Sequence, residues 1–158
     1  MEKLKLITDK DNPILRAKNE PIKKFDKNLR NLVEEMKKIM KKAKGLGIAA
    51  PQIGKNLQIA IVAFYQGEMN ELIMPMMNLK LLWHSKETTL DEEGCLSIPG
   101  CYAKVRRWKH IRVEFQSLDE QRQVLTLSDM NARIVLHELD HLNGILFVDR
   151  VEEGRVKN

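Results

Sequence analysis

The sequence has only two cysteines, Cys95 and Cys101, among its 158 residues. Small secreted domains are usually held together by several disulfides, so this scarcity argues against that class of protein. Residues 1–7 carry charges where a secretory signal peptide needs an unbroken apolar core. The longest apolar run, from Ile59 to Tyr65, is far too short to span a membrane. These absences predict a cytoplasmic protein with no membrane partner.

Neither sign of charge dominates, since 27 Lys and Arg residues face 22 Asp and Glu residues, a formal net charge of +5. This small excess permits attraction to a polyanion but indicates no specific nucleic-acid partner. Part of it lies in residues 37–44, KKIMKKAK, which predict a solvated helix face more readily than a polyanion site. The balance of 31% charged and 43% hydrophobic residues is that of a globular protein. The length suits one domain, residues 1–158.

Periodic patterns predict two helices and several strands. A helix is predicted from the N-cap residue Asp26 to a stop at Gly45, and a second from Ser128 to about Asn143. The predicted strands cover residues 57–64, 72–77, 79–83, 111–116, 123–127 and 145–148. Because strands outnumber helices and occur in runs, we predict an α+β fold. Its largely antiparallel strands would surround a central helix, the second one.

This second helix contains the sequence HELDH, residues 137–141, which fits the pattern HExxH. Two histidines four residues apart lie on one helix face, so His137 and His141 can bind one metal ion. Glu138 lies beside the same site and can accept a proton from a water molecule on that ion. The alternative is a helix with two surface histidines and incidental carboxylates.

A third ligand is needed, because catalytic metal sites usually have three protein ligands and one open position. No histidine or cysteine follows His141, but Cys95 lies upstream in the acidic, glycine-containing segment 91–97. A thiolate is a good soft ligand, which favours Cys95. The alternative for Cys95 is a small buried hydrophobic residue, which is the role predicted for Cys101.

Three segments of the chain resemble the three motifs of the peptide deformylase family, in the same order. They are GLGIAAPQ at residues 45–52, EGCLS at residues 93–97 and HELDHLNG at residues 137–144. The resemblance extends from about Leu6 to Arg150. It implies hydrolysis of the N-formyl group from the initiator methionine of nascent polypeptides, with release of formate.

The resemblance also implies how the metal is held. The family's metal ligands match Cys95, His137 and His141, and its general acid/base matches Glu138. The family's metal is Fe²⁺ in cells, and Zn²⁺ or Ni²⁺ is often found after purification. The implied partners are N-formylmethionyl nascent peptides and, transiently, the ribosome.

Further positions follow from the resemblance and from spacing. Gln52 and the backbone N–H of Leu96 match the groups that stabilise the oxyanion, and Leu46 and Gly47 match the loop that pairs with the substrate backbone. Helical spacing places three more residues on the side of the helix that faces the metal, and we predict that they bind substrate: Met130, Arg133 and Ile134. Ordinary core packing is an equally open interpretation of these three residues.

Two alternatives to a deformylase remain at this point. Leu136 stands where the family usually has glutamine, which removes a polar partner near the site. This departure and the lysines of residues 37–44 favour a catalytically weak deformylase-like protein that binds the ribosome or another polyanion. The HExxH pattern alone also fits a zincin-type metallopeptidase, although the Cys95 motif argues against it.

Overall fold

A computed structural model describes the backbone of residues 3–157 and the side chains of residues 3–151. The two α-helices are α1, Lys27–Lys42, and α2, Asp129–Leu142. The strands, in chain order β1 to β8, are Gly47–Ala49, Ile59–Phe64, Leu72–His84, Thr88–Cys95, Ile98–Trp108, His110–Gln116, Arg122–Ser128 and Val151–Lys157. Short 3₁₀ helices occur at Pro13–Leu15, Ala50–Ile53 and Phe147–Arg150.

The strands form two sheets in which every pair of neighbouring strands is antiparallel. The first sheet has the strand order β1-β2-β3-β6-β7, and the second has the order β4-β5-β8. The prediction of an α+β fold with largely antiparallel strands is confirmed. None of the helices in the described residues has the length and apolar composition that crossing a membrane requires.

The five-stranded sheet is covered by a helix on each face. Alternate residues of β2 point to opposite sides, as strand geometry requires. Ile59, Ile61 and Ala63 pack in the cluster that contains the apolar stripe of α1, whereas Ala60 and Val62 pack in the cluster that contains α2. All six residues of β2 are therefore buried.

The three-stranded sheet encloses a smaller apolar cluster of its own. This cluster combines Val105 of β5 with Leu15, Leu146 and Phe147 from the segments before α1 and after α2. The hairpin β4–β5 is thereby attached to the segments that precede α1 and follow α2. The two-residue turn of this hairpin follows Cys95 directly.

The N-terminus of α1 is as predicted, because the Asp26 side chain accepts a hydrogen bond of 3.0 Å from the Leu29 amide. The predicted stop at Gly45 is wrong in detail. The left-handed residue after the helix is Lys44, with φ of 56°, and the Lys44 and Gly45 amides donate to the carbonyls of Lys41 and Met40. This is a Schellman motif with a lysine at its left-handed position.

Two strand predictions need correction. The predicted strand at residues 145–148 is wrong, because Phe147–Arg150 forms a 3₁₀ helix and the strand that follows is β8. The predicted strands at residues 72–77 and 79–83 are one strand, β3, which is interrupted in register where Asn78 takes a φ of 55°. The Asn78 side chain bonds the Ile22 backbone at this point, which stabilises the irregularity.

Candidate metal centre

Three side chains from two distant elements meet beside α2. The ligand atoms of Cys95, His137 and His141 all lie within 4.8 Å of one another. Cys95 is the last residue of β4, and its Sγ lies 3.3 Å from His141 Nε2. The histidines lie one turn apart on α2, with ring centroids separated by 5.0 Å. One sulfur and two imidazoles in this arrangement can hold a single divalent ion.

The charges around these residues favour a cation. Burial opposes a charge on His137, but hydrogen bonds to Cys95 and Glu93 raise its pKa well above the usual value. Burial lowers the pKa of His141 far below its usual value, and a neighbouring charge on His137 lowers it further. Glu93 and Cys95 thus favour positive charge at His137, and His141 stays neutral, the form in which an imidazole binds metal.

Glu138 lies in the same cluster and is almost completely buried. Burial is the main factor that raises the pKa of its carboxyl group, to about 7. Among the described side chains, Glu138 Oε2 and His141 Nδ1 are the buried polar atoms without a hydrogen-bond partner. A buried carboxylate oxygen with no protein partner is well suited to exchange a proton with a small molecule in the site.

The side-chain amide nitrogen of Gln52 is directed towards Cys95. Its Oε1 accepts a hydrogen bond of 2.8 Å from the Ala49 amide, which fixes the orientation of the side chain. Its Nε2 consequently faces Ser97 Oγ at 3.2 Å and Cys95 Sγ at 3.6 Å. The 3₁₀ helix Ala50–Ile53, which is fully buried, holds the residue rigidly in this position.

Two glycines allow residues 45–47, at the entry to β1, to approach the site. A Cβ atom on Gly47 would lie 2.6 Å from Glu138 Oε1, and one on Gly45 would lie 2.6 Å from Leu96 Cδ1. Real Cβ atoms do not come so close to other atoms, so only glycine fits at these positions without displacement of the neighbour. The segment therefore packs directly against the residues beside Cys95 and His137.

Comparison with known proteins agrees with this geometry. The family model described as polypeptide deformylase matches residues 4–157. The chain belongs to the polypeptide deformylase family.

Among the relatives of this chain, the chloroplastic/mitochondrial peptide deformylase 1B of Arabidopsis thaliana is 41% identical over 149 residues, which are 93% of the chain and 54% of the relative. The peptide deformylase of Desulfotalea psychrophila is 40% identical over 94% of the chain and 87% of the relative. The crystal structure of peptide deformylase from Thermotoga maritima superposes with a TM-score of 0.89 at 33% identity, covering 97% of this chain and all of that one. The chain spans about half the length of the plant relatives that it matches.

An open groove of about 630 Å³ leads to this deformylase-like cluster. Cys95, His137 and Glu138 line this groove. All five residues that are predicted to contact substrate line it as well: Leu46, Gly47, Met130, Arg133 and Ile134. His141, which is almost completely buried, is not among the groove's lining residues. Leu136, the departure from the usual deformylase pattern, is buried with the core residues between α2 and the five-stranded sheet.

Charged side chains surround Glu93, and sequence reasoning did not identify the contacts that Arg133 and Asp140 make in this network. The Glu93 carboxylate accepts a bond of 3.0 Å from His137 Nδ1 and two bonds from the Arg107 guanidinium, at 2.8 and 2.9 Å. Arg107 also donates to Asp140 Oδ2 at 2.6 Å, and Arg133 donates to Glu93. Helical spacing could have indicated these contacts. Arg133 lies four residues before His137 and Asp140 lies three residues after it, so all three share one side of α2.

Proposed function

We propose that this protein is a metal-dependent peptide deformylase that removes the N-formyl group from the initiator methionine of nascent polypeptides and releases formate. The observation that carries the proposal is the convergence of Cys95, His137 and His141 beside the buried Glu138 and the oriented amide of Gln52. Family membership supports the same reaction. We also propose that residues 1–158 form a single catalytic domain.

The metal is proposed to be bound by Cys95, His137 and His141, with α2 as the central metal-binding helix. The thiolate and two imidazoles suit Fe²⁺, Zn²⁺ and Ni²⁺ and are a poor match for the harder Mg²⁺ or Ca²⁺. We favour Fe²⁺ as the ion in the cell, with Zn²⁺ or Ni²⁺ in isolated protein. When bound, the ion supplies Lewis acidity that makes water a nucleophile near neutral pH.

Glu138 is proposed as the general acid/base. Its unpartnered Oε2 accepts the proton of the attacking water, and the same carboxyl group later delivers that proton to the leaving amine. A pKa of about 7 suits both halves of this exchange, because the group takes up and releases a proton with little cost near neutral pH. Transfer by a positioned group of this kind typically contributes a factor of about 10²–10⁴ to the rate.

Gln52 Nε2 and the backbone N–H of Leu96 are proposed to stabilise the oxyanion that forms when water attacks the formyl carbon. The Ala49 amide holds Oε1 of Gln52, so its Nε2 is oriented before substrate arrives. Leu96 directly follows Cys95 in the turn of the β4–β5 hairpin. Loss of one such donor typically costs a factor of about 10²–10³ in rate.

The groove is proposed to bind the first residues of the formylated peptide. Strand β1 is an end strand of the five-stranded sheet, so Leu46 and Gly47 can pair with an extended peptide backbone. Met130 and Ile134 offer apolar surface for the methionine side chain, and Arg133 supports the same wall. Cytoplasmic action and transient contact with the ribosome remain predictions from the sequence.

A formate-release assay tests the proposed function. Protein purified anaerobically and loaded with Fe²⁺ or Ni²⁺ should release formate from formyl-Met-Ala-Ser and should leave the unformylated peptide intact. Cleavage of internal peptide bonds without formate release would instead indicate a zincin-type peptidase. Undetectable turnover of the metal-loaded protein, together with salt-sensitive ribosome binding, would indicate the catalytically weak alternative.

A further inference from the structure

The proposed metal site takes its ligands from two elements that no short connection joins. Cys95 lies at the end of β4, whereas His137 and His141 lie on α2. The ligand set keeps its geometry only if the hairpin β4–β5 and the helix α2 stay at a fixed separation. Side chains that join these two elements therefore affect the site even where they do not touch a ligand.

Arg133 joins the two elements directly. It lies on α2 one turn before His137, and its Nη1 donates to Glu93 Oε2 at 2.7 Å and to the Val105 carbonyl at 2.8 Å. Its Nη2 donates to the carbonyl and hydroxyl oxygens of Thr89 at 2.9 and 3.2 Å. The side chain is only 5% exposed, so these bonds form in a region of low dielectric where they are strong.

Glu93 transmits this contact to a proposed ligand. Its Oε1 lies 3.0 Å from His137 Nδ1, and its other contacts are the guanidinium groups of Arg107 and Arg133. An imidazole that donates from Nδ1 to a carboxylate has a fixed ring orientation and offers Nε2 to a metal. Arg107 belongs to the same hairpin as Glu93 and reaches α2 through Asp140, whereas Arg133 bonds Glu93 directly from α2.

We propose that Arg133 is a positioning residue of the metal site. It holds Glu93 in place, and through Glu93 it orients His137. Its bonds to Thr89 and Val105 fix the hairpin that carries Cys95 against α2. This inference rests on the proposed metal site and adds a role that the substrate-contact prediction for Arg133 did not contain.

The test compares metal binding by the whole chain with that of three variants, with Co²⁺ as the probe. Arg133→Gln removes the charge and the fork of donors, and we expect its Co²⁺ affinity to fall about tenfold and its visible absorption bands to shift. Arg133→Lys keeps the charge but cannot reach all four acceptors at once, so its affinity loss should be smaller yet measurable. The matched control is Arg106→Gln, because Arg106 lies next to Arg107 and its Nη1 makes an exposed contact with the Thr88 hydroxyl.

A double-mutant cycle shows whether Arg133 acts through Glu93. If it does, Arg133→Gln should lower Co²⁺ affinity much less in the Glu93→Gln background than in the wild-type protein. A purely structural role would lower the melting temperature of the metal-free protein and leave the Co²⁺ spectrum unchanged.

Three outcomes would overturn the proposal. They are wild-type affinity and spectrum in a folded Arg133→Gln variant, fully additive effects in the cycle, or, if that variant does not fold, wild-type affinity and spectrum in Arg133→Lys. Failure of the wild-type protein itself to bind Co²⁺ would instead refute the metal site on which this inference rests.

Discussion

Glu138 combines two properties that single buried residues seldom share. Its carboxyl group is almost fully removed from water, and one of its oxygens has no hydrogen-bond partner among the described residues. Burial of an unpaired carboxylate is unfavourable, so the surrounding structure must hold it there against that cost. Such arrangements are typical of groups that act in proton transfer.

Replacement of this carboxyl group by an amide separates proton transfer from metal binding. Glu138→Gln keeps the shape of the side chain but cannot carry the proton, so turnover should fall by a factor of about 10²–10⁴. Metal content should stay near that of the wild-type protein, because the proposed ligands are unchanged. Parallel measurement of formate release and bound metal checks this. Near-normal turnover in a metal-loaded variant would remove Glu138 from the mechanism.

Gly47 offers a second single-residue test. The new methyl group of Gly47→Ala would need to occupy space 2.6 Å from Glu138 Oε1, so the carboxylate must shift. A misplacement of about 1 Å in a catalytic group can cost about 10²-fold in rate, and we expect a loss of that order in kcat. The control is Gly67→Ala, where nothing lies within 4 Å of a new Cβ and only the local backbone is strained. Equal loss of activity in both variants would contradict the argument.

At the scale of single residues, the sequence indicated the candidate metal ligands but not the side chains that hold them in place. The histidine spacing indicated one metal-facing surface, and Cys95 followed from the need for a third ligand. The contacts of Arg133 were not predictable, because its acceptors on Thr89, Glu93 and Val105 lie on strands that the sequence patterns did not indicate. Helical spacing shows which side of a helix a residue occupies, but it does not show what that side faces.

Among the elements, the helices were predicted well and the hairpin that carries Cys95 was missed. Both helices have an apolar stripe and a residue suited to N-capping, and these are local signals. Strand β4 contains consecutive acidic residues and a glycine, which do not alternate in the way of a half-buried strand. Strand β1 has three residues and exists because β2 pairs with it. Such strands depend on tertiary pairing, which the local pattern does not contain.

The contact between Arg16 and Asp149 joins the segments before α1 and after α2. Asp149 accepts hydrogen bonds from the Arg16 guanidinium and, at 2.9 Å, from the Leu146 amide. The Arg16 contact, opposed in part by burial, holds the pKa of Asp149 below its usual value. A carboxylate with a lowered pKa in the folded state stabilises the protein above its unfolded-state pKa, and this contribution fades as the pH falls.

A pH series on Asp149→Asn tests this contact. We expect the variant to lose at most about 1 kcal/mol of stability at pH 7, because both side chains are more than a third exposed. The difference from wild type should shrink as the pH falls below about 4, where the carboxylate takes up a proton. Urea unfolding at several pH values measures this difference in stability. The control variant is Glu35→Gln, which removes the exposed ion pair between Glu35 and Lys38. A difference that is constant from pH 3 to pH 7 would contradict the assignment.

For the molecule as a whole, three apolar clusters and a network of charged side chains hold the helices, the sheets and the hairpin β4–β5 together. One cluster lies on each side of the five-stranded sheet, and a third lies beneath β5. The network of Glu93, Arg107 and Asp140 joins the hairpin to α2 through protein atoms alone. Folding should therefore precede metal binding, in contrast to zinc-finger domains that fold only with their ion.

Metal removal tests this expectation. Protein treated with a chelator should retain its far-UV circular dichroism and a cooperative thermal transition, but with a lower melting temperature. Addition of Zn²⁺ at about 100 times its dissociation constant should restore about 2.7 kcal/mol of stability, and Mg²⁺ should not. Loss of the cooperative transition in metal-free protein would show that the ion is part of the core.

Burial of β2 on both faces has a consequence for how this sequence can change over generations. Every residue from Ile59 to Phe64 contributes to one core or the other, so no position there can accept a polar substitution without loss of packing. On β7 most side chains are exposed, and substitutions there should be nearly neutral. Mutational drift should therefore accumulate at β7, at one end of the sheet, and be purged from β2.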